Sequence, residues 1–161
     1  MDHEVGGILM AGFTAEGLQA AHDNFLEVAN RCSAVQQWRE WADLFTEDAV
    51  YYEHCFGKFN GPDEIFEWIQ PLMSQWPNSE MTAFPHDWCV FDVERGWSIC
   101  QVENVMRDPG DGGLYQAANL TVLHYQLDGR ITYEEDAYNP ANFAPMMTAW
   151  IEAAQQHGEK P

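Results

Sequence analysis

The chain has 161 residues, 46% of them hydrophobic, and its seven Lys and Arg stand against 26 Asp and Glu for a formal charge of −19. That length supports one domain with a sizeable core. The charge is spread along the chain and excludes nucleic acid and anionic membrane surfaces as partners, because phosphate binding needs clustered Lys and Arg that release counterions; no apolar run approaches the ~20 residues that span a bilayer. Seven Trp, nine Phe and six Tyr exceed what a core of this size demands, which points to an aromatic-lined cavity or an apolar interface. Cys32, Cys55, Cys89 and Cys100 show no C-x-x-C spacing and read as free thiols. With the acidic start MDHE, where a secretory signal is basic, they give the expectation of a cytoplasmic protein.

Residues 1–13 read as a loosely held arm and 14–158 as a single domain. From Thr14, a good N-cap, apolar residues recur at Leu18, Ala21, Phe25, Val28 and Cys32, which predicts a long amphipathic helix. A shorter helix is expected over about 33–45, and 49–56 (AVYYEHCF) alternates like a strand. Gly61-Pro62-Asp63-Glu64 starts a helix with Pro in its first turn and acids where the dipole favours them. Ile65, Ile69, Leu72, Met73 and Trp76 form one face of it, with Pro71 a kink. Long strands follow over 82–93, 97–107, 114–127 and 130–138, separated by Glu94-Arg95-Gly96, the loop 108–113 and Asp128-Gly129. A last amphipathic helix is expected over about 142–156. Helices first and an antiparallel sheet afterwards make an α+β fold.

Three stretches in this order, 38–52 (WREWADLFTEDAVYY), 59–65 (FNGPDEI) and 128–138 (DGRITYEEDAY), resemble a helix running into the first strand, a glycine-led third helix and a final hairpin of the nuclear transport factor 2-like superfamily, SnoaL-like branch. The resemblance covers roughly 15–140. It implies a curled antiparallel sheet forming a cone around the N-terminal helices, with an apolar cavity. Relatives of this shape include ketosteroid isomerases, scytalone dehydratase, polyketide cyclases and limonene-type epoxide hydrolases, alongside modules that catalyse nothing, so the fold alone assigns no activity.

The candidate chemistry centres on the triplet Glu134-Glu135-Asp136, since carboxylates are depleted in strands. In the epoxide-hydrolase branch a last-strand carboxylate is an acid/base group within a segment similar to 135–139 (EDAYN), which assigns that role to Asp136. An apolar cone destabilises its charged form and raises its pKa toward neutrality. Glu134 and Tyr138 share its face of the strand, as substrate contacts. Strand parity argues the other way: Ile131, Tyr133 and Ala137 are the more apolar face, which sends Asp136 outward. By the same resemblance Tyr52 and His54 stand where a Tyr and an Asn hold the attacking water, and His54 adds a group that titrates near neutrality. Asn104 and Met106 fall where the hydrolases carry Arg and Asp, so the full hydrolytic machinery is missing. Asn104 is then a hydrogen-bond donor to substrate oxygen and Met106 a substrate contact. His124 follows the sheet histidines of scytalone dehydratase. His54 also reads as a hydrogen-bonded core histidine, and Asn104 as a satisfied strand amide.

The six His show no H-x-H or H-E-x-x-H spacing, so a metal site could arise only from residues that the fold brings together, and none is expected; no G-x-S-x-G turn or phosphate-binding loop is present, and the resemblance implies no organic cofactor. Two functions remain open. One is an acid/base enzyme, of isomerase, dehydratase, cyclase or hydratase type, acting on a small apolar oxygen-bearing molecule. The other is a binding or dimerisation module of the same fold. In either case a homodimer packed through the sheet is expected.

Overall fold

A computed structural model describes residues 12–158. Helix α1 (Ala15–Val35) starts where Thr14 Oγ1 accepts the Gly17 N–H at 3.0 Å, and it buries Leu18, His22, Phe25, Val28, Ala29 and Cys32 along one stripe. Of the expected arm, only Gly12 and Phe13 lie within the described residues. The expected helix over 33–45 is corrected. Residues 33–35 complete α1, only α2 (Arg39–Ala42) is helical beyond it, and β1 (Phe45–Glu53) has already begun. The cause is polar and tertiary. Gln36 turns left-handed at φ 54°, and Gln70 holds the linker from outside, accepting from Trp38 N at 2.9 Å and donating to Gln36 O at 3.0 Å.

Strand β2 (Gly57–Asn60) returns along β1, and α3 (Gly61–Met73) follows at once. Gly61 sits at φ 69°, where a Cβ would meet Glu47 O at 2.8 Å, so the close approach of α3 to β1 requires glycine there. The expected strand 82–93 is two, β3 (Met81–Ala83) and β4 (His86–Asp92). Pro85, which has no N–H for a ladder, separates them. The long strands β5 (Trp97–Met106), β6 (Gln116–Tyr125) and β7 (Ile131–Ala137) and the closing helix α4 (Pro140–Gln156) lie within a few residues of their expected places.

The sheet runs β2-β1-β7-β6-β5-β3, with β4 also on β5. All pairs are antiparallel except β1 with β7, which is parallel and ties the early strand to the last. The result is an α+β fold whose curled, unclosed sheet wraps its inner face around α1, α2 and α3. Trp38, Trp41, Phe45, Tyr51, Ile65, Leu123 and Ile131 fill the core. α4 packs against β6 beside the cone, anchored by the buried Trp150, whose Nε1–H donates to Arg107 O at 2.8 Å. No helix among the described residues is long and apolar enough to cross a membrane.

Two irregularities decide which side chains enter the cone. Along β6, Leu123 faces Glu134 and His124 faces Tyr133, but Tyr125 faces Ile131, so Thr132 is an extra residue on β7. This bulge lets Ile131 and Glu134 both point inward although they are three apart. The parity that sends Asp136 outward holds only for an unbroken strand. On β1, Phe45 pairs with Ile131 and Val50 with Tyr133, so irregular backbone between them resets that strand as well, leaving Ala49, Tyr51 and Glu53 inside.

Candidate active site

Between the helices and the inner sheet face lies a cavity of about 450 Å³, with walls from α1, α2, α3, α4 and the inner residues of β1, β5, β6 and β7. Trp38, Trp41 and Trp68 and the aliphatic side chains of Leu26, Ile69 and Val102 make most of the wall apolar. The polar groups concentrate on the sheet: Glu53, Asn104, Asn119, Thr121, Glu134 and Asp136, with Tyr138 near α4.

Asp136 is the hub. Its Oδ1 accepts from Asn119 Nδ2 at 2.8 Å and from Thr121 Oγ1 at 2.5 Å, and its Oδ2 accepts from Tyr51 OH at 2.6 Å. Protein encloses the carboxylate, and what surface it keeps faces the cavity. Burial raises its pKa from 3.8 to about 6, outweighing the three hydrogen bonds, which favour the anion, while the charge of Glu53 adds to the rise. Tyr51 is held in an aromatic box, its ring 5.2 Å from Trp68 and 5.9 Å from Trp41. Burial, then the Asp136 charge, push the Tyr51 hydroxyl well above the usual phenol range, so it stays a proton donor to Asp136.

Asn104 stands behind this group. Its Nδ2 donates to Asn119 Oδ1 at 2.7 Å and to Ala117 O at 3.1 Å, which commits both amide protons. The amide therefore orients Asn119 toward Asp136 and has no N–H left for a substrate oxygen.

Glu134 contrasts with Asp136. It is 2% exposed, its Oε2 is buried without a hydrogen-bond partner, and burial followed by the neighbouring Asp136 charge raises its pKa well above 4.5. Two carboxyls on one inner face, separated along the strand by roughly 7 Å, thus differ in environment: Asp136 accepts three hydrogen bonds that favour its anion, whereas burial pushes Glu134 toward its protonated form. Glu53 is spent on the backbone, its Oε2 accepting from Cys55 N at 2.7 Å and Phe56 N at 2.6 Å to close the β1–β2 turn.

Of the residues singled out in the sequence, Asp136, Glu134, Asn104 and Tyr138 line the cavity. Tyr52 and His54 lie instead on the outer face, where the rings meet at a tilt with centroids 4.6 Å apart and His54 Nε2 meets Glu135 Oε1 at 2.8 Å. The reset on β1 brings their neighbours Tyr51 and Glu53 inside. His124 is outside too, stacked on Trp97 with ring centroids 4.0 Å apart. Met106 is buried opposite Met81, which does line the cavity, but Met106 is not itself part of the lining. Tyr51, Asn119 and Thr121, which contact Asp136 directly, were not singled out. A signal for the last two existed: Asn119, Thr121, Leu123 and Tyr125 alternate on one face, and two bulky members argue that this face is the buried one.

The profile of the SnoaL-like domain matches residues 15–134. The chain belongs to the SnoaL-like family. Solved structures agree on the fold. An epoxide hydrolase of M. tuberculosis described as LEH-like is 14% identical, with 88% of this chain and 96% of that one covered and a TM-score of 0.62. PrhC from Penicillium brasilianum is 17% identical over 87% of this chain and 93% of its own, at 0.61. A Catenulispora acidiphila protein of ketosteroid isomerase-like fold, solved with trimethylamine, is 15% identical over 76% and 92%, at 0.58. Comparison with curated proteins finds no significant match.

Proposed function

We propose that this SnoaL-like protein is an acid/base enzyme that moves a proton on a small, mostly apolar molecule bearing a carbonyl, hydroxyl or epoxide oxygen. The observation that carries the reading is the half-buried Asp136 carboxylate, hydrogen-bonded on both oxygens and facing a cavity of about 450 Å³, a size that suits a small organic ligand. Asp136 is the base. With a pKa of about 6 it is ionised at neutral pH yet basic enough to take a proton. Glu134, kept protonated by burial, is the acid that donates to the substrate oxygen as charge builds on it. Tyr51, Asn119 and Thr121 orient the base, and Asn104 orients Asn119.

This division of labour favours isomerisation or elimination next to a carbonyl. A proton leaves carbon for Asp136 while the oxygen is held by Glu134, and Asp136 returns the proton elsewhere or an oxygen substituent departs. Support also comes from the fold, whose solved neighbours include an epoxide hydrolase. The rival reading, a binding module, would fit a filled cone with Asp136 in solvent better than this cavity. We further infer that the protein is cytoplasmic, which suits its four free thiols, and that it forms a homodimer through the outer sheet face.

The test has two stages. Quenching of the cavity tryptophans Trp38, Trp41 and Trp68 identifies binders in a panel of small apolar ketones, β-hydroxy ketones and epoxides. Turnover of the binders by the parent and by Asp136→Asn is then compared. A fall of about 10²-fold or more is expected, and binding with no turnover by the parent would favour the module.

A further inference from the structure

Outside the cavity, α1 and the inner sheet face enclose a second group of side chains that proton transfer does not use. His22 on α1 and Cys100 on β5 are fully buried, and Cys89 on β4 is half-buried and is the direct cross-strand partner of Cys100. One His22 ring nitrogen and the two sulfurs all lie within 4.8 Å of one another. The His86 ring lies beside His22, centroids 5.2 Å apart. Another bulge brings it there: His86 pairs with Val102 but Trp88 with Gln101, so Asp87 is extra.

Two atoms of this group lack partners. His22 Nδ1 meets Tyr125 OH at 3.3 Å and Ser98 Oγ at 3.4 Å, whereas His22 Nε2 is buried with no hydrogen bond, and so is His86 Nδ1. Buried polar atoms left unpaired are costly and call for an explanation. We propose that His22, Cys89 and Cys100, with His86 as fourth donor, bind a borderline-soft divalent transition-metal ion, zinc being the best fit.

The chemistry suits such an ion. Two sulfurs and two imidazoles are a tetrahedral donor set, whose donors stand roughly 3.3–3.8 Å apart around zinc, so the His22 nitrogen and the two sulfurs need only small side-chain rotations, and the neighbouring His86 ring turns in as the fourth donor. Two thiolates and two neutral imidazoles cancel the ion's charge, which lets the site be buried without a net charge; both thiol protons leave to solvent on binding. With Nε2 on the ion, His22 would carry its proton on Nδ1, which lies 3.3 Å from Tyr125 OH and 3.4 Å from Ser98 Oγ, the outer support that metal-bound histidines use. None of the four residues lines the cavity, so the ion would join α1 to β4 and β5 and take no part in the acid/base step. The sequence conceals the set because only His86 and Cys89 are close together in the chain.

The reduced full-length chain, stripped with a chelator, is titrated with Co²⁺ alone and then with Zn²⁺. One equivalent of Co²⁺ should give thiolate charge-transfer absorption and the intense visible bands of a tetrahedral site, displaced by Zn²⁺, with a higher Tm for the loaded protein. Cys89→Ala should abolish the bands, and Cys55→Ala should keep them. Absence of the bands in the reduced parent protein overturns the proposal whether or not the variants fold. So do bands that survive Cys89→Ala, or a Cys89–Cys100 disulfide that forms as readily with Zn²⁺ present as without it.

Discussion

At the level of single residues, the contrast between Asp136 and Glu134 makes predictions that do not share a failure mode. If Asp136 must be ionised to accept a proton, kcat/KM falls tenfold per unit as pH drops below about 6, and Asp136→Asn loses both the rate and that limb of the profile. His54→Ala leaves kcat within twofold, since His54 meets Glu135 outside the cone; a loss of rate comparable to that of Asp136→Asn would return His54 to the mechanism. Glu134 is tested through stability. Its folded pKa is raised, so the folded state holds a proton that the unfolded chain gives up above pH 4.5, and stability is lost as pH rises from there toward the folded pKa. Glu134→Gln removes this linkage. Its unfolding free energy relative to the parent should improve by more than about 1 kcal/mol between pH 4 and pH 8, measured by urea denaturation at both. A difference independent of pH would mean that Glu134 titrates normally.

At the level of elements, sequence periodicity matches the structure where it persists and misleads where tertiary contacts interrupt it. The stripe of α1, the Pro62 start of α3 and the Asp128-Gly129 turn are local signals and lie where expected. The false helix over 33–45 had a genuine apolar period, but its backbone bonds go to Gln70, a partner 32 residues from Trp38. Replacing that side chain, as in Gln70→Leu, should therefore cost about 1–3 kcal/mol by leaving Trp38 N and Gln36 O unpaired, seen as a lower urea midpoint with an unchanged slope. The site residues were lost in the same way. One inserted residue on β7 and a longer irregularity on β1 change the facing of every side chain beyond them, and nothing in the composition of these strands marks the insertions. The family resemblance points to Asp136, which lines the cavity, whereas it points to Tyr52 and His54 and the irregular backbone of β1 turns Tyr51 and Glu53 inward instead.

For the whole molecule, half of the exposed large hydrophobic side chains among the described residues gather on the outer side of the sheet. Val90 pairs with Ile99, Ile99 with Val122, and Gln101 with Leu120, so neighbouring strands form one continuous patch; Trp88, Val90, Ile99 and Leu120 are all exposed, Val90 by 55%. A patch of this kind on a monomer usually marks an interaction surface. Its burial by a second copy is opposed by the −19 charge on each chain, and the opposition weakens as salt shortens the Debye length. The proposed homodimer should therefore tighten as ionic strength rises, the reverse of an interface held by ion pairs. Sedimentation at micromolar concentration should give twice the 18.4 kDa of the chain, with a dissociation constant that falls between low and moderate salt. Ile99→Glu places a charge in the middle of the patch and should weaken association by at least tenfold while sparing the cavity, because Ile99 and its neighbours on this face point away from Asp136. A monomer at every salt concentration, or a dimer indifferent to Ile99→Glu, would leave this face without a partner copy.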